Sequence, residues 1–329
     1  MKRKRIGINF FVLILFLVIL FFIAINIGSI DVSLSELLKG LFIEYNKDIA
    51  TIYDLRFPRI IIAMLAGAMI AVSGTLFQAI LKNPLADPGI IGISSGAGFI
   101  SIVMIIIFPT MIKIIPLLGI LGGLLAFGLV YSLSWKKGLS PLRVLLVGIA
   151  IQALFTGLST SFNSLNGGNL SGVASIVNGN INMKTWNDVS ILSLYGIPIL
   201  IGSLFCCNSC DLLALEDKTV KSLGVDINKK RMILSIVAVS LAAVSTSIVG
   251  VIGFLGLLVP HIARLIIGNK HKVLIPFVII LGAFTFLLTD TLGRAILPPY
   301  EINASVIMSV IGGPIFIILL RREGGIYGK

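Results

Sequence analysis

Charge is scarce in this chain: 12% of its residues are Asp, Glu, Lys or Arg, about half the share of a soluble domain. A water-soluble globular enzyme is excluded on that ground. Histidine is nearly missing, with 2 in 329 residues, so a multi-histidine metal centre has too few ligands. Three cysteines, Cys206, Cys207 and Cys210, form a single C-x-x-C cluster without two further thiol ligands, and are expected to be structural thiols in a reducing compartment. Catalytic patterns are lacking as well. There is no H-E-x-x-H and no G-x-S-x-G, and the phosphate loop G-x-x-x-x-G-K-[ST] is absent because Gly-Lys occurs only as the final two residues. The chain therefore does not hydrolyse ATP by that route. Carboxylates at mid-membrane, the usual mark of proton- or sodium-coupled transporters, are also missing apart from Asp290 near one end of its span.

What the sequence does have is oil: 57% hydrophobic residues and a mean hydropathy of +1.08. Apolar runs of about 20 residues, each able to cross the hydrocarbon core as a helix, recur at roughly 6–27, 60–81, 89–108, 114–134, 142–163, 189–207, 232–251, 254–268, 274–293 and 304–320. The expectation is an all-α polytopic membrane protein of about ten transmembrane helices, its first run a retained span and not a cleaved signal. With the N-terminus inside, the basic runs Lys2-Arg3-Lys4-Arg5, Lys229-Lys230-Arg231 and Arg321-Arg322 fall on the cytoplasmic side, as the positive-inside rule requires. Topology thus accounts for the net charge of +12 without a nucleic-acid partner. Splitting ten spans five and five inverts the second half relative to the first. Ala71-Val-Ser73 ahead of Pro84 echoes Ala243-Val-Ser245 ahead of Pro260.

Local signals follow the chain. Asp31 to Leu38 is expected as a short external helix, and Arg56-Phe-Pro58-Arg59 opens the second span with Pro58 in its first turn. Arg56 and Arg59 lie on one outward face, where they either anchor to headgroups or form a socket for acidic residues of an external partner. Pro84 and Pro88 forbid a continuous helix through Asn83-Pro-Leu85-Ala-Asp87-Pro88. Gly172 to Val177 is expected as a half-buried helix, Pro260 to break or begin a helix, and Gly312-Gly313-Pro314 to interrupt the last span. His261 is expected to be buried with a hydrogen bond, and Asp290 and Arg294, four residues apart, suit an ion pair.

One stretch is polar. From Asn208 to Arg231 the wheel places Leu212, Leu213, Leu215, Val220 and Leu223 on one arc, with Asp211 set to cap the start and Gly224 to end it. This predicts one short amphipathic helix, lying either on lipid headgroups or in the groove of a protein. Without a phosphate loop or a mid-membrane proton carrier, it is the expected point of energy entry, with Glu216 a polar contact amid the leucines.

Nearly the full chain resembles the FecCD family, membrane subunits of ABC importers for ferric siderophores, haem and vitamin B12. The resemblance is carried by Arg56-Phe-Pro-Arg59, Ser73-Gly-Thr-Leu-Phe-Gln78, Asn83-Pro-Leu-Ala-Asp-Pro88, Gly92-Ile-Ser-Ser-Gly-Ala97, Leu223-Gly224-Val225, Gly253 to Arg264 and Gly312-Gly-Pro-Ile-Phe316. It implies a single permease domain over residues 1–329, of the vitamin-B12-permease type, with a first half of about 1–165, a second of about 189–329 and a cytoplasmic coupling segment at 208–231. It also implies a transport subunit and not an enzyme. Such a subunit sits as a multi-pass protein in the bacterial cytoplasmic membrane with both termini in the cytoplasm. The implied partners are a second permease subunit, two cytoplasmic ATPase subunits that use ATP and Mg, and an external substrate-binding protein; no cofactor is held by this chain. Arg56, Arg59 and Arg294 would dock the binding protein. Asn83, Leu85, Ser140 and Pro141 would form the cytoplasmic gate, and Leu212, Leu215, Glu216, Leu223 and Gly224 would couple to the ATPase. Met183-Lys-Thr-Trp186-Asn-Asp188 and Pro298-Pro-Tyr-Glu301 favour the haem-iron branch over ferric siderophores, and those over vitamin B12; an ion-coupled secondary transporter is the alternative of another class. Three places depart from the family pattern: Glu301-Ile-Asn303-Ala-Ser305 replaces Glu-x-Pro-x-Gly, the gate position Pro141 is more rigid than the small polar residue often found there, and Val177-Asn-Gly179 replaces Trp-x-x-Gly.

Overall fold

The computed structural model describes residues 2–27, 50, 52–134, 141–167, 171–298 and 300–323, which are helical without a strand. Among the described residues thirteen α-helices run in the order α1 Lys2–Asn26, α2 Phe57–Leu81, α3 Ile93–Ile107, α4 Ile115–Ser134, α5 Pro141–Leu165, α6 Ser171–Asn178, α7 Trp186–Leu204, α8 Cys207–Leu213, α9 Asp217–Ser222, α10 Ile227–Val249, α11 Leu255–Ile267, α12 His271–Ala295 and α13 Ala304–Glu323. Ten of them, all but α6, α8 and α9, correspond to the expected spans. Seven are long and apolar enough to cross a bilayer, and Ile93–Ile107, Leu255–Ile267 and Ala304–Ile318 are shorter apolar helices. The chain is a multi-pass membrane protein.

Helix starts follow local chemistry. Pro58 occupies the first turn of α2, where its missing N–H costs nothing. The Asp226 carboxylate accepts from the N–H groups of Asn228 at 3.0 Å and Lys229 at 3.1 Å, capping α10. Thr185 and Asp188 form a capping box on α7.

Two helices are the most enclosed, α2 with 83% and α10 with 78% of the apolar window buried, against 22% for α1 and 28% for α5. Small residues make that possible. A Cβ added to Gly282 on α12 would stand 2.5 Å from the Gly67 carbonyl oxygen on α2 and 2.7 Å from the Ala71 methyl, so these two backbones touch directly. Hydrogen bonds between α2 and α10 are reciprocal. Ser73 Oγ donates to Ala238 O at 2.7 Å, and Ser245 Oγ donates to Ala66 O at 3.4 Å. Each serine reaches the carbonyl seven positions before the other serine, as expected of two helices exchanged by a local two-fold. Other contacts swap in the same way: α2 packs on α11 and α12, while α10 packs on α3 and α4. The Ala-Val-Ser echo in the sequence is this axis, and the two five-helix halves are inverted about it.

Three expectations need correction. Pro260 neither breaks nor begins a helix; it lies inside α11, and the break comes earlier, at Gly250 to Phe254, where Gly250 and Phe254 take φ of 80° and 65°. Lacking an N–H, Pro260 leaves the Gly256 carbonyl without its helical donor, and Gln78 Nε2 donates to that oxygen at 3.4 Å. Gly312-Gly313-Pro314 does not interrupt α13, which runs on to Glu323; Gly312 instead makes room for Phe254, whose Cβ would be 2.8 Å from an added Cβ. The polar stretch 208–231 is not one helix. It holds two short helices, α8 and α9, separated by extended backbone at Glu216 (φ −62°, ψ 141°), and the first residues of α10. The expected helix at 31–38 lies outside the described residues.

Candidate functional site

At the end of the bundle where α2 begins, Asp290 on α12 gathers two arginines. Arg59 donates to it from Nε at 3.0 Å and Nη2 at 2.9 Å, and reaches Glu301 from Nη1 at 2.8 Å. Arg294, one helical turn after Asp290, approaches it at 3.3 Å and donates from Nη1 to Ile27 O at 3.0 Å. Arg56 donates to Ile25 O at 2.5 Å. Spacing predicts the Asp290–Arg294 pair; the contact from Arg59 bridges 231 positions, and no local pattern signals it. Arg59, Asp290 and Arg294 are buried, so of the three arginines expected to face a partner, two are committed to an internal cluster. With Arg56 at the same end, three guanidinium groups stand against the two carboxylates Asp290 and Glu301.

At the opposite end α2 closes at Lys82, whose backbone is left-handed at φ 48° and ψ 38°. Asn83 then makes an Asx turn, its Oδ1 accepting from Leu85 N at 3.0 Å. Both residues are half-buried. Ser140 lies outside the described residues, and Pro141 is the first residue of α5. Asp87 is buried in the same turn, accepting from Gly89 N at 2.7 Å and Ile90 N at 3.3 Å. Burial pushes its carboxyl up to about 6, against the pull of those two bonds.

Beside this turn is a cavity of about 730 Å³ whose wall includes Gln78, Lys82, Asn83, Cys210, Arg264 and both histidines of the chain, His261 and His271. Arg264 donates to Gln78 Oε1. The cavity is roofed by α8 and the turn after it. Asp211, expected to cap its own helix, caps α12 instead. Its carboxylate accepts from His271 N at 3.0 Å and lies 2.7 Å from His271 Nδ1. Burial pushes the thiols of Cys206, Cys207 and Cys210 up, and all three are unpaired and buried, which suits inert packing.

The five residues expected at the coupling surface are disposed unequally. Leu215, Glu216, Leu223 and Gly224 are exposed, Leu212 is half-buried, and Leu213 and Val220 of the same arc turn into the core. Gly224 takes φ 74° and ends α9 as its residue type allows. Sequence reasoning missed the cations that hold this segment: Lys82 Nζ donates to Leu215 O at 2.5 Å and to Asp217 Oδ1 at 2.9 Å, and Arg231 Nη2 donates to both Asp217 oxygens at 3.2 and 3.1 Å. Hydrogen bonding from Lys82 is the main cause holding the Asp217 carboxyl below the usual range.

Comparison with known proteins is consistent along the whole chain. The model of the FecCD transport family matches residues 16–322. The protein named "Probable heme-iron transport system permease protein IsdF" in Staphylococcus aureus strains MSSA476 and MW2 is 37% identical over 323 residues, covering 98% of each chain. A metal-chelate type ABC transporter in an inward-facing conformation superposes with a TM-score of 0.80 at 28% identity, over 98% of this chain and 99% of that one. PsaBC from Streptococcus pneumoniae shares the fold, with a TM-score of 0.56 at 18% identity over 88% of this chain and 95% of that one.

Proposed function

The chain belongs to the FecCD transport family, and from that premise we propose that it is the membrane-spanning permease of a binding-protein-dependent ABC importer that moves an iron chelate into the cytoplasm, haem before ferric siderophores. The observation that carries this reading is the family match along nearly the whole of a chain that has no phosphate loop of its own. The cargo follows the haem-iron relatives. A secondary transporter is disfavoured because Asp290, the carboxylate well inside a span among the described residues, is clamped by Arg59 and Arg294 and is poorly placed to carry protons.

In this reading a partner ATPase hydrolyses ATP with Mg and seats the exposed Leu215, Glu216, Leu223 and Gly224 in a groove, with Leu212 behind them. A second permease subunit completes the pathway. Both termini and the 208–231 segment are cytoplasmic, and the turn holding Asn83 and Leu85 is one side of a gate completed by Ser140 and Pro141. The positive excess around Arg56, Arg59 and Arg294 attracts acidic residues of the external binding protein. Arg56 is the residue through which to test docking, since reversing Arg59 would break a buried pair. Arg56→Glu is expected to weaken binding-protein association by about tenfold at low salt and less at high salt; salt-independent, unchanged association removes the docking role. Cargo is decided by binding of haemin against a ferric hydroxamate to the cognate external protein, with haemin expected to bind and compete.

A further inference from the structure

Transmission from the coupling segment to the gate needs a rigid path, and one pair of side chains supplies it. Lys82 is the last residue before the Asn83–Leu85 turn, fixed by its own N–H on Gln78 O and by a left-handed backbone that side chains rarely adopt. That conformation sends the main chain into the turn and the side chain back beneath α8. There Nζ holds Leu215 O and Asp217 Oδ1 together. Leu215 O belongs to the break between α8 and α9, and Asp217 opens α9. Arg231, near the start of α10, grips Asp217 from the other side. The middle of the exposed segment is therefore joined at one point to the end of α2 and the gate turn, and at another to the base of α10, the two most enclosed helices of the bundle.

We propose that Lys82 and Asp217 are positioning residues for transport: a strut through which displacement of the coupling segment at Leu215, Glu216 and Leu223 moves the turn carrying Asn83 and Leu85. The inference rests on the coupling and gate roles proposed above. Half-exposed ion pairs contribute little to stability; Lys82 is 34% and Asp217 46% exposed in their side chains, so removing the pair separates coupling from folding. Flanking segments do not offer the same path. Asp211 bonds to His271 at the start of α12 and not to α2 or the gate turn.

The experiment uses the assembled transporter in proteoliposomes with a Leu85→Cys reporter, labelled by a membrane-impermeant maleimide before and after vanadate trapping of the ATPase. The native cysteines are buried and give a low background. Trapping is expected to change the labelling rate at least about fivefold, the lower end of ordinary coupling between sites. Lys82→Met and Asp217→Asn shrink the change to less than about twofold with thermal stability and ATPase activity retained, the double variant is no worse than either single one, and Lys82→Arg keeps the response. A full response in both Lys82→Met and Asp217→Asn overturns the strut. Leu223→Asp tells that failure from the other: if it abolishes the response while the strut variants keep it, the coupling surface stands and the strut is wrong. If the reporter is silent to trapping in the parent, or Leu223→Asp leaves the response intact, the coupling reading and the strut fall together.

Discussion

Asp290 shows how much a single side chain organises here. Buried beside two guanidinium groups, it ties the start of α2 to the end of α12, and through Arg294 to the end of α1. Removing one partner of such a pair leaves a charge uncompensated, at a cost of about 3–5 kcal/mol. Arg59→Met is accordingly expected to destabilise the purified protein by that amount in thermal or denaturant unfolding, and Asp290→Leu by at least as much because it also strips Arg294 of its carboxylate; the double variant is expected to lose less than the two single losses summed, and additive losses would contradict the pairing. Asp87 gives a second test. Its folded-state value, raised from 3.8 to about 6, means that the native state holds its proton more tightly than the unfolded chain. Its contribution is most favourable below about pH 4, is lost as pH rises through about 6, and is level above that. The stability gap between Asp87→Asn and the parent should grow in favour of the variant by about 2 kcal/mol from pH 4 to pH 7; a constant gap would show that the carboxyl is not perturbed. Neither feature was legible locally. The i,i+4 rule finds Arg294 because both residues share a helix face, whereas Arg59 meets Asp290 only through the packing of α2 on α12.

Among the elements, the ten spans were legible from hydropathy, seven because bilayer thickness fixes their length and three as shorter apolar helices. The coupling segment was half legible. Its apolar arc and its Gly224 stop are present, but a helical wheel gives every residue to one helix, and here two are drawn elsewhere: Asp211 to the start of α12, and the Leu215 carbonyl to Lys82. Glu216-Asp217 is itself a helix-start signal, with acids at the positive end of a dipole, and α9 begins there. Pro260 misled for a related reason. The carbonyl it orphans is met by Gln78 across the helix contact, which the sequence of α11 alone cannot reveal. Close approach of α2 and α12 makes a sharp prediction at this scale. Gly282→Ala forces a methyl to within 2.5 Å of backbone oxygen, which cannot yield as a side chain would. Overpacking of about 2–3 kcal/mol is expected, read as a lowered unfolding midpoint, while Gly128→Ala, with no atom within 4 Å of the new methyl, is neutral.

For the whole molecule, the inverted repeat was visible as a faint Ala-Val-Ser echo and becomes concrete in the reciprocal bonds of Ser73 and Ser245. Two of the three places where the sequence leaves the family pattern prove to be one place in space. Asn303 Nδ2 and Ser305 Oγ both donate to Asn178 O, at 3.4 and 2.9 Å, so the end of α6 and the start of α13 depart together and satisfy each other. What sequence could not reach is the long-range cation network at the coupling segment, because Lys82 and Asp217 are 135 positions apart. The most direct test of the account is haemin uptake into proteoliposomes containing the permease with its ATPase and binding protein. Accumulation that requires hydrolysable ATP on the side of the 208–231 segment, and that ceases without the ATPase subunit, is the predicted result. Accumulation driven by an ion gradient with no ATPase present would contradict it.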